Sequence, residues 1–126
     1  MREGVAGRVK TQAIVSELQH LAATPGVRLC ALVDTQTGMV WLAAGEQQGM
    51  DSLLEAARDY WRVHQRHGMA FDTLGAAIGI TVLHEAGSVN LLPCGQELVL
   101  VTVADPGHIN FRGWPGRLVL LRSLLR

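Results

Sequence analysis

Residues 26–44 read GVRLCALVD, then TQTG, then MVWLAA, so two apolar runs flank a polar turn that ends in Gly38. Apolar runs rich in β-branched or aromatic residues on either side of such a turn predict a β-hairpin. In a hairpin with one face in water, alternate residues would be polar, yet the first run is apolar on both faces. Both faces of the sheet are therefore expected to be covered by helices, which predicts a three-layer α/β/α domain.

The bulk properties exclude several classes of partner. Lys and Arg number 11, and Asp and Glu also number 11, so the chain has no net charge to attract nucleic acid or an anionic membrane. Hydrophobic residues make up 48% of the chain and charged residues 17%, which indicates that some apolar surface is buried against a partner. No apolar run approaches the ~20 residues that cross a bilayer, and the N-terminus lacks the apolar stretch of a signal peptide. A cytoplasmic protein without membrane insertion is expected.

Apolar spacing along the rest of the chain predicts helices before and after the hairpin, then three strands and a final helix. The element order is α-β-β-α-β-β-β-α, in a single domain over residues 8–126 that follows a flexible lead-in over residues 1–7. The expected elements are a helix at 8–23, strands at 27–34 and 39–44, a helix capped by Asp51 or Ser52 and running to about His67, strands at 75–84, 89–92 and 97–104, and a helix from Pro115 to Arg126.

The second helix has more apolar surface than a sheet needs. On a helical wheel at 100° per residue, its weakly polar arc is centred on Ala57 and covers about half of the circumference, against the ~100° that packing on a sheet requires. We call the surplus side the apolar flank, and it is a candidate contact surface: Ala56, Tyr60, Val63 and His67. We call the opposite side the charged arc, and it is either a solvated, ion-paired face or a partner surface: Asp51, Glu55, Arg58, Asp59, Arg62 and Arg66.

Two stretches within this element order resemble a known family. Residues 25–38 read PGVRLCALVDTQTG, and residues 97–105 read ELVLVTVAD ahead of the last helix. Together with the order of elements, they resemble the roadblock/dynein light chain family of profilin-like domains, from about Val9 to Arg126. The clearest departure is GWPG at residues 113–116, which interrupts the place where such domains start a longer closing helix.

The resemblance implies an α/β (α+β) profilin-like fold. We expect a five-stranded antiparallel sheet in the order 2-1-5-4-3, with the second helix on one face and the first and last helices on the other. The resemblance also implies a homodimer or heterodimer in which the third strands pair across subunits and the second helices lie side by side. On this sequence, that interface would use the apolar flank together with Ile78, Ile80 and Val82 of the third strand.

The family's role would be that of a platform or regulator for small Ras-like GTPases, or of a light-chain adaptor on motor and scaffold complexes. Such domains have no catalytic group of their own. In a dimer, both copies of the charged arc would lie on one outer face and form the partner surface.

The sequence contains no motif that indicates catalysis, a nucleotide or another cofactor. His64 and His67 form an HxxH pair on the second helix, but no third ligand stands near them, so packing is favoured over a metal site. Cys30 and Cys94 lie in strand-like runs without CxxC spacing, which favours small buried thiols.

Two function classes follow. The first is a dimeric, non-catalytic interaction module that acts as scaffold, regulator or activator of a small Ras-like GTPase. The second is a small-molecule sensor or ligand-binding domain of a related α/β/α fold, since fold alone does not decide function. A catalytic triad that assembles only in space is the third and least favoured alternative.

Overall fold

The computed structural model describes residues 2–95, 97–107 and 109–126, with the backbone alone for residues 2–6. Its elements follow the predicted order, with short helical segments added after the second helix and near the C-terminus. The bounds are α1 (Arg2–Ala22), β1 (Val27–Asp34), β2 (Val40–Gly45), α2 (Asp51–Arg66), a 3₁₀ segment (Gly68–Leu74), β3 (Ile80–His84), β4 (Gly87–Pro93), β5 (Leu98–Ala104), a 3₁₀ turn (Phe111–Gly113), α3 (Trp114–Arg117) and α4 (Val119–Leu124).

The five strands form one antiparallel sheet in the order β2-β1-β5-β4-β3, which confirms the predicted order. β5 lies between β1 and β4, and Leu100 at its middle is aligned with Leu32 on one side and with Leu92 on the other. Residues 99–104 of β5 are all buried. A strand covered on both faces needs apolar residues at nearly every position, so this continuous apolar run belongs at the centre.

Helices cover both faces of the sheet, which confirms the three-layer arrangement. On one face, α1 and the C-terminal helices bury a core that includes Leu18, Leu100 and Leu121. On the other face, α2 buries a second core that includes Ala57 and Val101. Among the residues that the structure describes, no helix combines the length and apolar character of a membrane span.

Both long helices begin differently from the expectation. α1 starts at Arg2, so residues 2–7, for which a flexible lead-in was predicted, form its first turns. Adding residues to an existing helix avoids the unfavourable nucleation step, so the two glycines in this stretch are tolerated. α2 starts at Asp51, but Met50 occupies the N-cap position and makes no side-chain capping bond. The predicted cap by Asp51 or Ser52 is therefore wrong, although Asp51 lies in the first turn, where its charge favours the helix dipole.

The predicted single closing helix is wrong, because the chain after residue 110 forms three short helical segments. Pro115 lies at the start of α3, and the helical geometry is interrupted at Leu118 between α3 and α4. Gly and Pro within the GWPG stretch disfavour a continuous helix. The predicted apolar face is nevertheless retained, because Leu118 and Leu121 are fully buried and Leu125 is half-buried.

β3 begins later than expected, at Ile80 rather than at Gly75. Gly75 has φ of +80°, which ends the preceding 3₁₀ segment in a conformation that favours glycine and not a strand. Ile78 therefore precedes the strand, and its predicted place within the third strand is wrong.

Candidate functional site

The apolar flank of α2 is on the surface of the chain. Tyr60 is 42% exposed and Val63 is 49% exposed, and the flanking Ala56 and His67 are exposed as well. The neighbouring side of the helix packs on the sheet instead, and there Leu54, Ala57 and Trp61 are buried. The helix thus presents the apolar side chains that the wheel identified as surplus.

Arg58 shows which way the apolar flank points. At about 100° per residue, Arg58 and Tyr60 lie on opposite sides of the buried Ala57. Nη1 of Arg58 donates a hydrogen bond of 2.9 Å to the carbonyl oxygen of Gln36, in the turn that joins β1 to β2. Arg58 therefore points toward β2, which is one edge of the sheet. The apolar flank, on the other side of Ala57, points toward β3 at the opposite edge.

The β3 strand is exposed on the same side of the molecule. Ile80 packs against the α2-side core and, like Val82, is half-buried, whereas Ile78 just before the strand is 57% exposed. The strand ends the described sheet, so its outer backbone groups face away from β4. The structure therefore places five of the seven predicted dimer-interface residues on α2 and β3. His67 directly follows α2 as its C-cap, and Ile78 lies in the segment that leads into β3.

The charged arc divides into an exposed group and one anchored residue. Five of its members are exposed: Asp51, Glu55, Asp59, Arg62 and Arg66. The Arg58 side chain is only 15% exposed, and its Nη2 lies 3.6 Å from Oδ1 of Asp59. Arg58 is therefore part of the packing of the β1–β2 turn, and the expectation that it lies on a solvated face is wrong.

The β1–β2 turn that holds Arg58 is tightly organised. Oδ1 of Asp34 accepts hydrogen bonds from the N–H groups of Gln36 at 2.8 Å and Thr37 at 2.9 Å. These two bonds hold the pKa of Asp34 below its ordinary value. Gly38 has φ of +76°, and a Cβ there would lie 3.0 Å from the guanidinium carbon of Arg58. The sequence indicated the turn, but only the folded chain brings α2 underneath it.

Arg58→Ala is expected to lower the free energy of unfolding by about 1–2 kcal/mol, because it removes the hydrogen bond to Gln36 and the packing of a side chain that is only 15% exposed. Arg62→Ala is the matched control. Its free energy of unfolding should stay within about 0.5 kcal/mol of the parent's, because Arg62 is exposed. Urea unfolding at a fixed protein concentration measures both values. Equal losses for the two variants would show that the turn does not depend on Arg58.

Both cysteines are free and fully buried, which confirms the sequence interpretation. Burial raises the pKa of Cys30 from 9.0 to about 11, partly opposed by a contact of 3.8 Å between its Sγ and Oγ1 of Thr102. Burial also raises the pKa of Cys94 to about 12. Both groups are thiols at neutral pH, and therefore poor nucleophiles and poor metal ligands.

These pKa values predict how stability depends on pH. The native state keeps the two thiol protons to higher pH than the unfolded chain, so the free energy of unfolding should fall as pH rises from about 9 toward 11 for Cys30 and toward 12 for Cys94. Each thiol contributes a slope of up to about 1.4 kcal/mol per pH unit in that window. The double variant Cys30→Ala, Cys94→Ala should show a shallower decline than the parent in alkaline urea titrations. Parallel declines would contradict the assignment.

His64 packs against aromatic rings. Its ring stacks on Phe71 with 5.6 Å between centroids and an angle of 21°, and it lies 5.9 Å from the ring of Trp61. Over residues 2–95, 97–107 and 109–126, no three His, Cys, Asp or Glu side chains come together in an arrangement that could hold a metal ion. The histidine pair is thus split between a packed His64 and an exposed His67.

A groove of about 790 Å³ lies over β3 and β4 on the α1 side, and sequence reasoning missed it. Asn90 at its floor is 1% exposed, accepts from Oγ1 of Thr81 at 2.8 Å and donates to Oγ of Ser88 at 3.0 Å. Phe111 and Arg112, from the segment that follows β5, also line the groove. The signal in the sequence was an amide residue within the otherwise apolar run at 89–92.

No sequence-family model and no curated protein matches this sequence. Solved structures do match. A Roadblock/LC7 domain from Streptomyces avermitilis is 16% identical, with a TM-score of 0.71 over 90% of this chain and 92% of that one. MglB in a structure described as having a tetrameric arrangement is 18% identical, with a TM-score of 0.71 over 91% and 89%. The gliding protein MglB from Thermus thermophilus is also 18% identical, with a TM-score of 0.71 over 91% and 90%.

These similarities extend over nearly the whole length of each pair of chains, so they include the sheet and both helical layers. At such identities they concern the fold, and at that level they confirm the resemblance that the sequence indicated. The chain has the roadblock/LC7 fold.

Proposed function

We propose that the chain is a dimeric, non-catalytic interaction module that regulates or scaffolds a small Ras-like GTPase. The observation that carries the proposal is the exposed apolar flank of α2 beside the exposed edge strand β3. Further support comes from the similarity in fold to MglB, one structure of which has a tetrameric arrangement.

The dimer would form about a two-fold axis that relates the two β3 strands. Pairing these strands satisfies backbone groups that otherwise make an edge strand prone to aggregation. The same rotation brings the two apolar flanks together, so Tyr60 and Val63 leave water in both subunits. Burial of apolar side chains is the main favourable term in such an association.

The GTPase would contact the exposed members of the charged arc. Both copies of the arc lie on one outer face of the dimer, which presents a surface of mixed charge twice the size of that in one chain. Such surfaces set the rate and specificity of association more than its strength. Arg58 is left out of this surface because it is bound to the β1–β2 turn.

The test uses purified Ras-like GTPases of the source organism, each loaded with GDP or with a non-hydrolysable GTP analogue, and calorimetry with the full chain. At least one GTPase should bind, and the double variant Arg62→Glu, Arg66→Glu should weaken that binding by about tenfold. The control with the same change of charge is Arg8→Glu, Lys10→Glu on α1, which should bind as the parent does. Absence of binding by every GTPase, or equal effects of the two double variants, would contradict the proposal.

A second candidate function is the binding of a small molecule in the groove over β3 and β4. Its volume of about 790 Å³ lies within the range of ligand sites, and its lining includes the hydroxyl groups of Thr81 and Ser88, which the buried Asn90 amide holds in place. Native mass spectrometry of the purified full chain would test this function. A bound mass that is present in the parent and lost in Asn90→Leu would support it, provided that the variant keeps the parent's circular dichroism spectrum.

A further inference from the structure

A second exposed apolar surface lies at the opposite edge of the sheet from β3. Three consecutive residues form it, and we call it the β2-edge patch: Met39 is 69% exposed, Val40 is 39% exposed and Trp41 is 51% exposed. Neither the proposed dimer nor the charged arc uses this surface. A Trp that is half in water next to two further apolar side chains is a frequent feature of protein-binding sites.

The helical layers leave the β2-edge patch uncovered. α1 lies over β2, where Leu42 and Ala44 face its core, whereas α2 lies over β1, β4 and β5. The pairing of β1 with β2 is irregular at this point, since Val33 is aligned with Val40 and Leu32 with Leu42. Trp41 therefore has no residue opposite it, and bulges of this kind redirect side chains.

Two carboxylates border the patch across a groove of about 390 Å³. Asp34 is fixed by the N–H groups of the turn, and Oε1 of Glu97 accepts from Nε2 of Gln36 at 2.9 Å. Glu97 has φ of +62°, and its carbonyl oxygen accepts from the N–H of Thr35 at 2.8 Å, so its backbone is held in an uncommon conformation.

The groove is acidic. In the described part of the chain its walls contain these two carboxylates and no Lys or Arg. Arg58 lies close enough to lower the pKa of Asp34, but its side chain is only 15% exposed and its Nη1 is bonded to the carbonyl oxygen of Gln36. The surface thus combines an apolar wall with a net negative charge.

We propose that the β2 edge binds an extended segment of a partner protein, in which a bulky apolar residue stands next to Lys or Arg. The segment would add to the sheet as a further strand, so that its backbone bonds to the outer edge of β2. Its apolar side chain would pack on Trp41. Past Met39 the segment would cross the end of the sheet at the β1–β2 turn and enter the groove, where its cation would lie beside Asp34 and Glu97.

A second copy of this chain fits the site less well than such a segment. In an antiparallel pair of β2 strands, the Gly45 end of β2 in one copy would face the two carboxylates of the other copy. That end carries Arg28, which is already paired with Glu46 at 3.2 Å. A second copy would therefore present to the acidic groove a cation that is already paired.

The test is a selection of random dodecapeptides displayed on phage against the immobilised full chain, followed by anisotropy measurements with the enriched synthetic peptides. These peptides should share a Lys or Arg next to a bulky apolar residue. Trp41→Lys should weaken their binding by about tenfold or more, and Glu97→Gln by roughly two- to fivefold. Hydrogen exchange should slow at the amides of β2 when a peptide is added.

Two further variants keep the test decisive. Met39→Lys changes the most exposed residue of the patch and should also weaken binding, so a folding defect of Trp41→Lys would not decide the result. Val119→Lys on α4 changes an exposed apolar residue elsewhere and should bind as the parent does. Peptides that lack the basic and apolar pair, or that bind Met39→Lys as tightly as the parent, would overturn the proposal. A lower sedimentation mass of both patch variants would also overturn it, because the patch would then be an interface between copies.

Discussion

Replacement of both Tyr60 and Val63 by Glu is expected to convert the proposed dimer into a monomer. These are the two exposed large hydrophobic residues of the apolar flank, and in a two-fold interface each change acts twice. Placing a carboxylate in a desolvated apolar interface costs about 2 kcal/mol or more for each site, so the carboxylates of both subunits together should raise the dimer Kd by about 10⁵-fold or more.

Sedimentation velocity at micromolar concentration measures this change as a loss of half of the mass. The matched control is Val119→Glu with Leu120→Glu, which places the same charges on exposed apolar positions of α4. That control should keep the parent's mass, and both double variants should keep its circular dichroism spectrum. A parent chain that is monomeric, or a Tyr60 and Val63 variant that remains dimeric, would contradict the proposed interface.

The same variants connect the dimer to the proposed GTPase surface. If both copies of the charged arc are needed, the monomeric variant should lose GTPase binding even though Arg62 and Arg66 are unchanged. If it binds with the parent's affinity, a single arc is sufficient and the dimer has another purpose. Dimerisation and GTPase binding can therefore fail separately in these experiments.

The apolar flank could be predicted because helical periodicity shows how many apolar positions a helix has and how many a sheet can cover. The buried Ala57 and the exposed Tyr60 lie where the wheel places them. The same method misplaced Arg58, because a wheel shows only direction around the helix axis. Whether a charged side chain at the border meets water or another element depends on the distant β1–β2 turn, which the long Arg58 side chain reaches.

The errors near the third strand and the closing helix have a shared cause. Gly75 and Gly116 lie within runs whose apolar spacing suits a strand or a helix, so the spacing alone predicts longer elements than the glycines allow. In the folded chain, Gly75 takes a positive φ, and the helix that contains Gly116 stops at Leu118. Local backbone freedom therefore decided where these elements begin and end, while the apolar pattern decided which face is buried.

The groove over β3 and β4 and the β2-edge patch could not be predicted, for a different reason. Each is formed by residues from segments far apart in the chain, such as Asn90 with Phe111, or Trp41 with Glu97. A single sequence shows which residues are apolar or charged, but not which of them meet at one edge of a sheet. The net charge of zero gives no sign of the local acidity around Trp41, where two carboxylates and, among the described residues, no Lys or Arg line the groove.

Leu100→Ala should have the largest effect on stability. Leu100 is fully buried at the centre of β5, between Leu32 and Leu92 in the core beneath α1. The cavity left by a buried Leu costs about 2–5 kcal/mol, a large share of the ~5–15 kcal/mol that stabilises a domain. Leu83→Ala, at a position of β3 that is 81% exposed, is the same change outside the core and should cost less than about 0.5 kcal/mol. Urea unfolding at one fixed concentration separates this effect from dimer dissociation, and similar midpoints for the two variants would show that the central strand does not carry the core.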